Sequence, residues 1–391
     1  MAVRVGHAPI ADREWRMTID SDLGRLGVSL SRLLRAVAVL DGWIDAGIVG
    51  AVSAVIMRRG FVVRTYARGH YGPGNSGLNI DSNSLFHLAS IGKPMAACAV
   101  MILVEEGRLS LDEPVTTWIE EFRRPECAGI TVRHLLSHTS GLPQDPDLKG
   151  LPRGIATAAE IETYRRSVPV VPTGSKVEYS NVAYGLLGII IQAVSGFSFA
   201  DFMRTRVFTP LGMRSTMIAP EGSLTTRIVH VAGTRDPGDP FERFNSSYAR
   251  TLTHPAGVAV GTALDTARFF QLFLDHGRLP HGGRLLAPAT VQAMLTNQTA
   301  GLRGGIEGFT TWPDCAWGLG FDLRGQKRPH FSGDFSDATT FGHTGVAGTF
   351  AWADPTRELV CVMLANQMLY NGWFAPHWAR FSNAVVASLD G

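Results

Sequence analysis

The segment SLFHLASIGKPMAACAVMILVEEG, Ser84 to Gly107, decides how the chain is read. A helix entered near Ser90 puts Ser90 and Lys93 one turn apart, so that their side chains can touch. Pro94 is compatible with such a helix because first-turn N–H groups have no intrahelical partner. Met95, Cys98, Ala99, Ile102 and Leu103 recur at helical spacing, Glu105 and Glu106 form the wetter end, and Gly107 supplies a stop. The spacing predicts a buried helix with a serine and a lysine at its mouth.

A serine hydroxyl is a weak nucleophile at neutral pH, and a lysine can take its proton only when part of its population is uncharged. A free lysine titrates near ~10.4, and burial with suitable neighbours brings a working base down to roughly 7 to 8. The start of a helix also aims N–H groups and positive partial charge at the place where an oxyanion would form. Ser-x-x-Lys has only two fixed positions, and by itself it is more often a cap followed by a solvated lysine. Its meaning therefore depends on the rest of the chain.

The 391 residues are 45% hydrophobic and 18% charged, which describes a globular chain with a large core, in two domains or one domain with a big insertion. The formal charge is +2, and basic residues form no run beyond pairs such as Arg58-Arg59 and Arg165-Arg166, so nucleic-acid binding has no footprint. Cys98, Cys127, Cys315 and Cys361 are scattered and suggest neither a disulfide framework nor a zinc ribbon. The first 22 residues hold no apolar run of signal-peptide length. The longest apolar candidate, Ala183 to Val194, is too short to span a membrane and contains Gly185, Gly188 and Gln192. The expectation is a cytoplasmic protein with no membrane contact and no cofactor.

Working outward, Leu30, Leu33, Leu34, Val37, Leu40 and Ile44 mark one helical face. Ala51 to Met57 and Phe61 to Tyr66 then read as a hairpin through Arg58-Arg59-Gly60. The glycines of Tyr71 to Gly77 do not open a helix after a strand, which argues against a phosphate cradle. From Arg108 to Thr253 the pattern is helical and loop-rich, with TVRHLLSHTSGLP at 131–143, a turn at Val171 to Gly174 and an apolar helix over Asn181 to Ser195. Glu221 to Tyr248 is polar and turn-rich, a stretch suited to covering a site. Helices follow at Asp265 to Gly277 and Pro288 to Thr296, strands at Trp317 to Leu323, Gly348 to Ala353 and Glu358 to Ala365, and a closing helix at Trp373 to Leu389. Strands near both ends with helices between imply one sheet built from the two halves of the chain.

Two further clusters stand where a serine-lysine enzyme would need them. Tyr179-Ser180-Asn181 lies at a loop-to-helix junction. His343-Thr344-Gly345 sits just before an expected strand, with Gly348 close behind. Each alone is weak, since Tyr-x-Asn is usually turn chemistry and His-Thr-Gly usually a satisfied loop. In this order, with HLLSHTSGLP, YSNVAYGLLG, WGLGF, FGHTGVAGTF and ADPTRELVCVMLANQ around them, they resemble the serine β-lactamase and penicillin-binding-protein superfamily. The likeness is to its class C, esterase-like branch, which carries Ser-x-x-Lys, Tyr-x-Asn and Lys- or His-Thr-Gly, and it covers roughly residues 35 to 385.

The resemblance implies an α+β fold, an antiparallel sheet flanked by helices, with residues 1–107 and 254–391 forming the sheet domain and 108–253 a mainly helical insertion. It implies Ser90 as the acylated nucleophile, and Lys93 and Tyr179 as the pair that takes the serine proton and returns one to the leaving group. Asn181 would hold the acyl side chain or orient Lys93. His343, Thr344 and Gly345 would line the strand edge beside the substrate, and the N–H groups of Ser90 and Val346 would form the oxyanion hole. Which of Lys93 and Tyr179 is the base stays open, and the two are expected to titrate together. Lactamases and peptidases of the superfamily usually carry lysine where His343 stands, and histidine is mostly uncharged at neutral pH. The departure points to uncharged esters or activated acyl groups, and the expected partner is a small-molecule ester or amide substrate. The acyl group would go to water in a carboxylesterase-type hydrolase, or to an amine or alcohol in an acyltransferase; a β-lactamase, a peptidase or an inactive binding module is less favoured.

Three other signals carry less. His134 and His138 stand at helical i, i+4 spacing but lack the glutamate of HExxH, so no metal is expected. Gly196 to Ala200 misses the last glycine of G-x-S-x-G and follows a helix, unlike an α/β-hydrolase elbow. Glu105-Glu106 and Glu120-Glu121 read as solvated helix faces.

Overall fold

The computed structural model describes residues 20–73, 77–147, 157–220, 222–234, 242–246, 255, 257 and 259–390. Its organising layer is an antiparallel sheet of β1 (Ala51–Arg58), β2 (Phe61–Gly69), β3 (Asp322–Leu323), β4 (Phe341–Gly345), β5 (Thr349–Asp354) and β6 (Leu359–Ala365), in the order β2-β1-β6-β5-β4-β3. Every residue of β1, β5 and β6 is buried, because helices cover both faces. Side chains alternate across a strand, so a run that looks uniformly apolar divides between two cores. Val52, Ala54, Ile56, Phe350, Trp352, Cys361 and Met363 join the core shared with α1 (Leu30–Asp45) and the closing helix. Val55, Met57, Ala351, Val360 and Val362 join the larger core that holds α2 (Gly92–Glu105). The four cysteines are free and buried.

α2 is buried from Gly92 through Leu103, on all sides and not along one stripe. It packs against α3 (Asn181–Ser195), while α4 (Ala263–Leu274) lies across β1, β5 and β6. The closing helix, α5 (Phe374–Val386), packs against α1 on the opposite face. No single helix among the described residues is long and apolar enough to cross a membrane. The middle of the chain is tied to the last third by Val177–Glu178, which pairs in parallel with Gly304–Ile306, itself paired with Thr310–Trp312.

Two expectations are corrected. The strand expected over Trp317 to Leu323 contracts to Asp322–Leu323, because the chain turns at Gly318 to Phe321 and Trp317 returns only as an isolated bridge to Asp322. Gly320 makes that turn possible: its φ is 95°, and a Cβ there would stand 2.3 Å from Ala97 Cβ on α2. His343-Thr344-Gly345, expected just ahead of a strand, lies inside β4, where pairing with β5 imposes extended backbone on a glycine-rich run. In the stretch Glu221 to Tyr248, residues 221, 235–241 and 247–248 fall outside the described residues. Of its described part, Val231 and Phe244 pack in a small cluster with Ala89, Ala347 and Met368, beside Ser90.

Candidate active site

Ser90 is presented by a tight turn, Ala89–Ile91, that feeds α2. Ala89 has a φ of 48°, a left-handed conformation unfavourable for a residue with a Cβ, and it is 1% exposed. The end of β4 presses on this turn: a Cβ on Gly345 would stand 2.6 Å from the Leu88 carbonyl oxygen and 3.1 Å from Ala89 Cβ. Gly345 thus allows the strand edge to come against the serine turn. Thr349 Oγ1 donates to the Leu88 carbonyl at 3.2 Å and fixes the same approach from β5. The N–H of Val346, just past β4, meets no acceptor among the described residues, and Ser90 and Val346 both line the adjoining cleft.

Lys93 is 0% exposed, with Nζ 2.9 Å from Ser90 Oγ. Nζ also donates to Asn181 Oδ1 at 2.6 Å, and Asn181 Nδ2 donates to Asp145 Oδ1 at 2.6 Å. Burial lowers the Lys93 amine to about 7, opposed in part by the charge of Asp145. The Tyr179 hydroxyl hydrogen-bonds to Ser90, yet burial pushes the phenol well above its ordinary range, so it keeps its proton. Lys93 Nζ lies 4.9 Å from the centre of the Tyr179 ring.

The middle residue of Tyr-Ser-Asn does the anchoring. Ser180 caps α3 by accepting from the Ala183 N–H at 3.0 Å, while its own hydroxyl donates to the Pro143 carbonyl at 2.7 Å. Its N–H donates to His138 Nδ1 at 3.0 Å, and the Asn181 N–H donates to the Gln144 carbonyl at 2.6 Å. These bonds fix Tyr179 on one side of the cap and Asn181 on the other, both facing Lys93.

The histidine pair suggested by spacing does not converge. His134 Nδ1 completes a capping box with Thr131, whereas His138, at φ 58°, leaves the helix and stacks on Tyr179 with ring centres 4.5 Å apart. His343 is 1% exposed and lies behind the cleft wall, its ring 6.0 Å from that of Tyr179, while Thr344 lines the cleft. Burial lowers His343 to about 3, so at neutral pH it is neutral, and Nδ1 donates to the Thr344 carbonyl at 2.7 Å.

The cleft has Ser90, Tyr179, Asn181 and Asp145 on one wall and Phe309, Trp312, Phe331, Phe374 and Trp378 among its apolar lining. Sequence reasoning named His138 only as a rejected metal ligand and did not mark Asp145 or the buried group Asp322, Lys327 and His330. His138 lies inside the family-like run 134–143 and Asp145 two residues beyond it, while the other three carry no periodicity that could mark them.

The comparisons with known proteins bear on the family and the fold. Penicillin-binding protein 4 of Amycolatopsis lactamdurans is 29% identical over 316 residues, 76% of this chain and 76% of that protein. Esterase EstB of Burkholderia gladioli is 28% identical over 373 residues, covering 87% of this chain and 91% of its own. The crystal structure of a penicillin-binding-protein homologue from Caulobacter crescentus superposes with a TM-score of 0.75 at 25% identity, over 93% of this chain and 99% of that one. With the sequence profile of the family matching residues 34–380, and strands from both ends of that span forming one sheet beside a Ser-x-x-Lys turn, the chain belongs to the beta-lactamase family.

Proposed function

We propose that the protein is a serine-dependent acyl-transfer enzyme of carboxylesterase type, acting on uncharged small-molecule esters through an acyl-enzyme on Ser90. The observation that carries this reading is the Lys93 amine, held near neutrality by burial and 2.9 Å from Ser90 Oγ. Uncharged Lys93 takes the Ser90 proton as Oγ bonds to the substrate carbonyl, whose oxygen gains the negative charge within reach of the Ser90 and Val346 N–H groups. Tyr179, still protonated, bridges to the departing alcohol: it gives its proton to the leaving oxygen and recovers one from the Lys93 ammonium. Water then attacks the ester carbon, Lys93 accepts a proton from it, and Ser90 leaves with the proton it lost. Asn181, braced by Asp145, keeps the amine aimed at both reaction partners.

The choice of Lys93 over a Tyr179 phenolate as base follows from the opposite directions in which burial moves the two groups. It predicts that kcat/KM for a neutral ester rises about tenfold per unit below pH 7 and levels off above it, because only uncharged Lys93 can accept the proton. A flat profile between about pH 5 and about pH 9 would remove Lys93 as the base. The neutral state of His343 supports uncharged substrates over the carboxylate-bearing β-lactams and peptides, since no cation is supplied at that position. The name of the relative EstB points the same way.

A second reading, transfer of the acyl group to an amine or alcohol, is favoured by the apolar walls of the cleft, which disfavour bulk water beside the ester. Intact-protein mass after mixing with para-nitrophenyl acetate, with and without a small amine, tests both. An adduct of one acetyl group and a product burst are expected. Faster deacylation with amine than with water alone favours the transferase reading, whereas absence of any adduct or turnover removes the acyl-enzyme.

A further inference from the structure

On the cleft wall beside Trp312, Pro329 and His330 stands a carboxylate that the chemistry at Ser90 does not use. Asp322 is 4% exposed and lines the cleft. Its two side-chain partners both meet Oδ1: Lys327 Nζ at 2.5 Å and His330 Nε2 at 3.3 Å. Lys327 itself is 1% exposed and lies behind the wall, 4.7 Å from the centre of the Trp312 ring and 4.9 Å from that of Trp317. His330 is likewise committed, because the Ser332 N–H donates to its Nδ1, leaving Nε2–H to donate to Asp322. Burial lowers His330, which keeps it neutral at neutral pH. Desolvation works to raise Asp322, but the Lys327 charge and the His330 hydrogen bond hold it at about 2, so it is ionised. Oδ2 takes no donor from the described residues and is not sealed from the cleft.

We propose that Asp322 Oδ2 reads a neutral hydrogen-bond donor, a hydroxyl or amide N–H, carried on an aromatic part of the substrate. The proposal rests on the esterase reading above and names the substrate class for that same site. A substrate that fills this wall without a donor strips water from a carboxylate oxygen and returns nothing, a mismatch that costs affinity well beyond the loss of one contact. The donor is neutral because Lys327 already balances the charge of Asp322: an ammonium would set a second cation against one carboxylate in an apolar wall. Trp312, Phe309 and Phe331 supply the ring surface that an aromatic body would pack on.

The test uses two matched pairs of esters. In one the donor is on the acyl side, para-nitrophenyl phenylbutanoate against its para-hydroxyphenyl counterpart; in the other it is on the alcohol side, phenylethyl acetate against para-hydroxyphenylethyl acetate. At least one pair is expected to favour the hydroxylated ester by about tenfold or more in kcat/KM. Asp322→Leu combined with Lys327→Met removes both charges at similar volume, which buried pairs tolerate better than loss of one partner, and is expected to bring the ratio to one or below. Asp322→Asn serves as an isosteric second variant, with the same expected direction. A wild-type ratio near one in both pairs overturns the proposal, as does a ratio that survives either substitution. Burst kinetics of the wild type with para-nitrophenyl acetate separate this failure from failure of the Ser90 reading: a burst with no hydroxyl preference discards Asp322 alone.

Discussion

Ser90→Ala is expected to lower ester turnover by about 10^5-fold or more, to the level of the uncatalysed reaction in a bound state, and to eliminate the acyl adduct. The size follows from what Oγ does in the proposed reaction. It forms the only covalent bond to the substrate, and no other hydroxyl stands in contact with both Lys93 and Tyr179 among the described residues. The substitution removes one oxygen from a half-buried position and leaves the Ala89 turn, the Gly345 contact and the Ser90 N–H in place. The variant should therefore fold, bind the ester and fail only in chemistry. Retention of more than a few per cent of the wild-type rate, with normal circular dichroism, would exclude Ser90 as the nucleophile.

Lys93→Met is expected to cost about 10^3-fold or more in kcat while making the protein more stable at neutral pH. The sign follows from the direction of the shift. Burial lowers Lys93 from 10.5 to about 7, so between those values the unfolded chain holds a proton that the folded protein does not. Stability contributed by this group therefore rises with pH across that window, and its full penalty is present below about pH 7. At about 1.4 kcal/mol per unit the penalty is on the order of 5 kcal/mol. Methionine removes the charge problem at similar length but leaves Asn181 Oδ1 and Ser90 Oγ without the amine, a loss of about 1–3 kcal/mol. The net gain is on the order of 2 kcal/mol, a rise of a few degrees in Tm at pH 7 that turns into a loss above about pH 10.5, where the penalty is gone and the missing amine contacts remain. A variant that melts below the wild type at pH 7 would contradict the account of Lys93 as a destabilising base kept for its chemistry.

The parts of the fold legible in the sequence are those that burial alone decides. The α2 helix, β1 and the apolar run of β6 announce themselves because each must be dry on two sides, and the half-exposed β2 is marked by the turn that joins it to β1. What the sequence conceals is geometry imposed from outside an element. FGHTG has little intrinsic preference for a strand and becomes β4 through its neighbour β5; WGLGFD looks strand-like and is bent by contact with α2. The same division holds at the site. Ser90, Lys93, Tyr179 and Asn181 come together because each motif travels as a unit on a helix start. Asp145 acts on Asn181, 36 residues away, and Asp322 meets Lys327 and His330 through an irregular loop, so no periodic pattern marks either carboxylate.

The pairing of β1 with β6 also sets a timetable. The Ala51 N–H reaches the Asn366 side chain across 315 residues of chain, and that strand pair, second and third of the six, is the seam that joins the hairpin to the rest of the sheet. On a ribosome adding about 5–20 residues per second, the hairpin of β1 and β2 emerges roughly 15 to 60 seconds before its central partner exists. Throughout that interval the open edge of β1, buried along its whole length in the finished protein, is exposed to other nascent chains. Yield in a foreign host should accordingly respond to slower initiation, lower temperature or added chaperone more than to any change near Ser90, since the vulnerable species is an unfinished polypeptide that has no active site.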